Sequence, residues 1–207
     1  MSKNRQVKPN QDKDVIHTVL MIVNPSPATI QLRNRIINQR NSKDRVGIVT
    51  EKPGTLNASS TTREIIFNVN LKNEPALSKL IQSQGFDTVY IDLKQANPDL
   101  MHNIMEAASG TQVNRVILAL NDNDKPSDAQ VNKATEIVKR SGIHYTIIRR
   151  AKLNRYDLIS YQVVNNAQPV SDSSVSPSSV ADLAYQIIEH PNLHSNVDLG
   201  IAQLPYK

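Results

Sequence analysis

Apolar positions recur along this chain in two alternating registers. Val19, Leu20, Met21, Ile22 and Val23 follow one another without a polar break, the pattern of a strand buried on both faces. Past the turn Asn24-Pro25-Ser26-Pro27-Ala28, the residues Ala28, Leu32 and Ile36 recur every four, with Ile37 beside them, and predict a helix with one inward stripe. Strands are predicted next at Arg45 to Thr50 and at Glu64 to Asn68, with the polar turn Glu51 to Gly54 and a Ser/Thr/Asn stretch between them. Leu77, Leu80 and Ile81 place a helix over Glu74 to Gln84, which Gly85 ends.

The alternation continues. A strand at Thr88 to Leu93 precedes a helix opened by Pro98, carrying Leu100, Ile104, Ala107 and Ala108 on one side and closed by Gly110. A strand at Val113 to Leu120, a helix bearing Val131, Ala134, Ile137 and Val138, and a strand at His144 to Arg150 follow, with Gly142 ending the helix. The last third predicts a strand at Leu158 to Val164 and a helix with Val180, Leu183, Ala184, Ile187 and Ile188 inward. Ser176 or Ser178 would cap that helix, with Pro177 near its first turn, and a strand at Val197 to Leu204 ends the series. Such βα alternation implies parallel strands joined by right-handed crossovers, hence an α/β fold: a three-layer, doubly wound, mainly parallel sheet. Ligands of such sheets bind at the carboxyl ends of the strands, so the turn after the first strand is the first candidate site.

The 207 residues suffice for one domain, read as 15–207, with the part from about 150 forming a substrate-side subregion. No apolar run nears the roughly 18 residues that span a bilayer, and residues 1–14 lack a signal-peptide core, so a soluble, cytoplasmic protein with no membrane partner is expected. The absence of cysteine excludes disulfides, thiolate zinc sites and a cysteine nucleophile. His190 and His194 are four apart, but Pro191 between them argues for a loop rather than a metal-binding helical face. Of the net charge of +5, the polar tail supplies +2, with Lys3, Arg5, Lys8 and Lys13 against Asp12 and Asp14, and the body keeps +3. The tail reads as disordered and solubilising, with a nucleic-acid arm as the other reading. Two Phe, six Tyr and no Trp leave little for stacking on bases, which argues against nucleic acid as a partner.

Three stretches carry a family resemblance. SGIHYTIIRRAKL, Ser141 to Leu153, is similar to the segment SGLDYTIVRPGxL of the NmrA-like, atypical branch of the short-chain dehydrogenases. VSPSSVADLAYQIIEHP, Val175 to Pro191, resembles that branch's VSRADVAxxIVxxLxxP helix, and VNRVILAL after a helix ending EAASG resembles its DAAKxAGVKRFVxLSS. The likeness spans most of residues 15 to 203 in order and implies a single-domain Rossmann protein that binds NAD or NADP.

The family's functional motifs are replaced. Its first turn reads GATGxxG, where glycine lets backbone N–H groups approach the pyrophosphate. Here Asn24 to Ile30 read NPSPATI, and Pro25 and Pro27 lack an N–H. Ser26 as a capping hydroxyl, the N–H groups of Ala28 and Thr29, and the helix dipole remain, the last worth about 1 kcal/mol to an exposed anion. The stretch reads either as a rigid helix start or as a residual phosphate cradle. After the second strand Glu51, with Lys52 beside it, stands where relatives pair an arginine with the 2′-phosphate, which leans any binding toward NAD. Asn70 takes the place of an aspartate near the adenine.

Leu120 and Asn121 stand for the family's serine pair, and no tyrosine lies between Asn121 and Ile143. Lys133 falls where the motif lysine belongs, with Ala129 instead of tyrosine four residues before it, and reads as an exposed lysine or a cofactor ligand. Asn121 to Asp124 read as a turn or a metal or substrate site, Arg149 and Arg150 as ion-pair or anion-binding residues, and Ser171 to Ser179 as linker and helix cap.

Two functions are therefore expected. One is an NAD(P)-binding Rossmann protein of NmrA-like type that is degenerate and non-catalytic, a sensor or interaction protein holding NAD or NADP weakly or not at all. The other is an NAD(P)H-dependent atypical reductase of a small carbonyl or quinone, its proton supplied by solvent or substrate. Neither names a metal or an oligomeric state.

Overall fold

Strand β1, Thr18–Val23, is buried at all six positions and lies in the interior of the sheet, third of eight strands. The computed structural model describes residues 16–39, 43–51, 53–56, 61–125, 128–165 and 173–204. The basic tail, Lys52, Ser171 and Asp172 lie outside them.

Helix α1, Pro27–Asn38, follows, and then β2, Arg45–Val49, and β3, Glu64–Phe67. Next come α2, Glu74–Gln84, β4, Thr88–Asp92, and α3, Pro98–Ala108. The series β5, Arg115–Leu120, α4, Ala129–Arg140, and β6, His144–Arg150, completes the regular part. Beyond it lie β7, Lys152–Leu153, β8, Gln162–Asn165, β9, Ser174–Val175, α5, Pro177–Glu189, and β10, Val197–Ala202.

One device starts three of these helices. Ser26, Asn97 and Ser176 are N-caps whose side chains accept from backbone N–H groups, and each is followed by proline at the first helical position. Proline suits that position because its missing N–H would have no intrahelical partner. At the other end of α2, Gly85 takes the left-handed conformation that closes the helix, φ 67°.

Among the described residues, eight strands form one sheet in the order β3-β2-β1-β4-β5-β6-β10-β8, and β7 pairs with β9 apart from it. All neighbours in the large sheet are parallel except β10 and β8. Alternate residues of each strand serve opposite layers. Val19, Met21 and Val23 of β1 pack with Leu32 and Ile36 of α1 and with Leu183 and Ile187 of α5. Leu20 and Ile22 pack on the other face with Leu77 of α2, Ile104 of α3 and Val131 of α4. The result is the three-layer α/β architecture expected from the sequence, and no described helix is long and apolar enough to cross a membrane.

Several boundaries differ from the sequence reading. The strand expected at Leu158 to Val164 starts at Gln162. The residues ahead of it dock instead on the start of α5: the Leu158 carbonyl accepts from the hydroxyls of Ser176 and Ser179, and Ser160 N–H donates to Ser179 Oγ at 3.0 Å. Backbone groups engaged in this way are not available to a ladder. The strand expected from Val113 begins at Arg115, since the N–H groups of Asn114 and Arg115 turn to the carbonyl of Asp87. The final strand stops at Ala202, because Gln203 N–H leaves the sheet for the carbonyl of Ser174 at 2.8 Å. Strands β2, β3 and β4 each end one residue earlier than expected, at Val49, Phe67 and Asp92.

Candidate functional site

The strand order reverses between β1 and β4, whose crossovers run in opposite directions, and this is the switch point at which a doubly wound sheet opens a crevice. Val23 and Asp92 are register partners at the carboxyl end of that strand pair. The turn after β1 is tied to β4 at once, since Asn24 N–H donates to the Asp92 carbonyl at 2.7 Å.

The side chain of Asp92 completes the arrangement. Its Oδ2 accepts from Thr29 Oγ1 at 2.8 Å and from Ser26 Oγ at 3.1 Å, and the residue is 3% exposed. A carboxylate thus lies against the N-terminus of α1, where the unpaired N–H groups and the helix dipole favour negative charge. Ser26 Oγ also accepts the N–H of Thr29 at 3.2 Å, and the N–H of Ile30 goes to the Ser26 carbonyl at 3.0 Å. Pro27 has no N–H, so in this first turn only the Ala28 N–H has no partner among the described residues.

Burial pushes the Asp92 carboxyl up from its ordinary range, while the charge of Arg150 and the hydroxyls of Thr29 and Ser26 pull it down. Arg150, at the end of β6, faces the same group of residues and is 8% exposed. Its Nη1 lies 3.9 Å from Asp122 Oδ1, beyond hydrogen-bond length, and its buried Nε has no partner. Tyr90, two residues before Asp92 and on the same face, is fully buried, and burial followed by the charge of Asp92 raises its phenol well above the ordinary value.

The turn after β5 is closed by its own side chains. Asp124 Oδ2 accepts from Asn121 N–H at 3.0 Å and its Oδ1 from Ala96 N–H at 2.9 Å. Asn121 Nδ2 donates to the Lys94 carbonyl at 3.0 Å, and its Oδ1 accepts from Asn123 N–H at 2.8 Å. These bonds fasten the loops after β4 and β5 together, so the turn reading of this stretch describes the geometry found. Among the described residues no group of three or more His, Asp or Glu is arranged to hold a metal.

Comparison with known proteins identifies the family. A model of an NAD(P)H-binding domain matches residues 32–191. The chain belongs to this NAD(P)H-binding family. The match starts within α1, after the glycine-free turn. Similar solved structures include a Rossmann-fold NAD(P)-binding family protein from Shigella flexneri, 23% identical, with 93% of this chain and 100% of that one covered and a TM-score of 0.80. A short-chain dehydrogenase/reductase from Veillonella parvula DSM 2008, in complex with NADP, is 14% identical over 91% of this chain and 95% of that chain, TM-score 0.75. A putative epimerase from Bacteroides thetaiotaomicron is 13% identical over 93% of this chain and 100% of its own, TM-score 0.72. These likenesses establish the Rossmann-like fold. No curated protein matches the sequence.

Within this NAD(P)H-binding fold the candidate residues separate. Asn24, Ser26, Ala28 and Thr29 meet at the switch point. Asn121 lies at the same sheet edge but spends its side chain on the neighbouring loop. Glu51 is exposed just past β2, and Lys52 is outside the described residues. Asn70 closes its own turn, its Oδ1 accepting from Lys72 N–H at 3.0 Å. Leu120 is a core residue packed with Leu118 and Val131. Lys133 is exposed on α4, whose inward side is Val131, Ala134, Thr135 and Val138. Arg149 forms a two-pronged pair with Asp198 of β10, at 2.8 and 2.9 Å.

Sequence reasoning missed Asp92. Its signal is a single carboxylate ending the apolar run Thr88 to Ile91 on the strand that adjoins β1 at the switch point.

Proposed function

We propose that this chain is an NmrA-like member of the family whose dinucleotide site has degenerated, and that it acts as a sensor or interaction protein rather than as a catalyst. The observation that carries this reading is the use of hydrogen-bond donors at the first turn. A pyrophosphate is held in such folds by several backbone N–H groups approached closely through glycine. Here Asn24 donates to Asp92, Thr29 to Ser26 and Ile30 to the Ser26 carbonyl, while Pro25 and Pro27 have nothing to donate. The residues at this end do not fit the pyrophosphate of NAD or NADP. Glu51, past β2, fits a ribose diol and disfavours a 2′-phosphate, so residual affinity would favour NAD over NADP.

The placement of the other residues supports a non-catalytic role. Leu120 is packed in the core and Asn121 is tied into the loop, so the position of the family's serine pair offers no free hydroxyl. Isothermal titration of the full chain with NADH and NADPH tests the reading. Dissociation constants weaker than about 1 mM are expected, and a value tighter than about 100 µM for either overturns it. Loss of reduced-cofactor absorbance with quinones or aldehydes would establish the reductase instead.

A further inference from the structure

The charge of the carboxylate at the switch point opposes a phosphate there. Helix α1 spans Pro27–Asn38, long enough to present a dipole, and its first turn carries two hydroxyls, Ser26 and Thr29, both directed at Asp92 Oδ2. At the end of β6, Arg150 is nine-tenths buried with its Nε unpartnered among the described residues, and it acts on Asp92 through its charge without a hydrogen bond between them. A buried guanidinium whose one ion pair among the described residues, to Asp122, is long at 3.9 Å, two hydroxyl donors and a helix N-terminus are the parts of an anion site. Asp92 supplies the anion from within the chain.

We propose that the Asp92 side chain is a built-in occupant of the phosphate position at the N-terminus of α1, and that a neutral or smaller residue at 92 opens this end of the crevice to the pyrophosphate of a dinucleotide. The inference rests on the reading of the site as degenerate, and it names the residue responsible. With Asp92 in place, a phosphate meets a carboxylate and finds Ser26 and Thr29 already engaged. Asp92→Asn removes the charge at nearly constant shape. Asp92→Ala also releases both hydroxyls from the carboxylate, leaving them bonded to each other, and leaves Asp122, 3.9 Å away, as the remaining counter-charge of Arg150. The ligand class is set by the donors: a diphosphate bridge, with the adenosine end contributing little to the gain.

The test is calorimetric titration of the full-length wild type, D92N and D92A with NADH, ADP-ribose and adenosine in low salt, with circular dichroism and thermal unfolding confirming that each variant is folded. At least a ten-fold gain in affinity for NADH and ADP-ribose is expected in D92A, a smaller gain in D92N, and no change for adenosine. Adding Arg150→Gln to D92A should cancel most of the gain. Folded D92N and D92A that bind ADP-ribose no more tightly than wild type overturn the proposal, as does an equal gain for adenosine. The wild-type arm answers separately, since tight NADH binding there overturns the degenerate reading whatever the variants do.

Discussion

The Thr29 hydroxyl donates to Asp92 Oδ2 at 2.8 Å, joining the first turn of α1 to the end of the neighbouring strand inside the core. The bond, with that of Ser26, offsets part of the cost of burying a carboxyl group, but burial still outweighs Arg150 and the two hydroxyls and raises the Asp92 pKa. A carboxyl raised on folding contributes stability that is fully present below its unfolded pKa, about 3.9, and is lost as pH rises through the folded value. Asp92→Asn has no proton to lose. Its stability relative to wild type should therefore increase as pH is raised above about 4, read as urea midpoints from pH 3.5 to 8. A difference independent of pH would contradict the assignment.

Arg115 anchors the loop between α5 and β10. It is almost completely buried at the start of β5, donating to the carbonyls of Pro191 at 2.8 Å and Leu193 at 2.7 Å and to Thr146 Oγ1 at 2.8 Å. Thr146 in turn donates to the His194 carbonyl, and His194 and Asn196 adopt positive φ in the same loop. Arg115→Met keeps the volume but strands these acceptors, and should cost about 3 kcal/mol in urea unfolding. Burial, then the charge of Arg115, lowers the His194 pKa. The variant should raise it, as followed by the histidine ring resonances, and an unchanged value would count against the contact.

Gly47 of β2 is required by space rather than by conformation. A Cβ there would stand 2.3 Å from the tip of the Phe86 ring and 2.9 Å from Phe67, two rings that meet edge to face. Gly47→Ala should cost about 1–3 kcal/mol by overpacking. Phe86→Leu in the same chain should recover part of that loss, giving a favourable coupling in a double-mutant cycle. Strictly additive effects would refute the crowding.

Asp182 of α5 links two neighbours, accepting from Tyr161 Oη at 3.0 Å and pairing with Arg35 of α1 at 3.1 Å. Burial first, then the hydrogen bond and charge of Asp182, push the Tyr161 phenol up to about 12. The associated stability is present below the unfolded value, about 10, and disappears as pH rises through the folded one. Asp182→Asn should lower the Tyr161 pKa while leaving it above the ordinary value, as measured by carbon-13 tyrosine titration. No change would show that burial acts alone.

How much was legible depended on how local the physics is. Helix α2 was readable to the residue, because Leu77, Leu80 and Ile81 set its inner face and Gly85 sets its end. The strand expected from Leu158 was displaced because its partners are hydroxyls on α5, and Ser176 and Ser179 look like caps and linker until α5 is placed beside residues 158–160. At the candidate site, Ser26 was recognisable as a cap because its partner Thr29 lies three residues on. Asp92 was not recognisable as its second partner, because the two are separated by sixty-six residues.

The sequence alone determined the alternation of strands and helices, their proline-marked starts and the loss of glycine from the first turn, since each rests on residues within a turn or two of one another. Only the tertiary structure decided what stands in that turn's place. Parallel pairing brings the end of β4 alongside the end of β1, and so seats the Asp92 side chain on the N-terminus of α1. Which carboxylate meets which helix end follows from strand order, and strand order is set by the packing of both faces of the sheet at once.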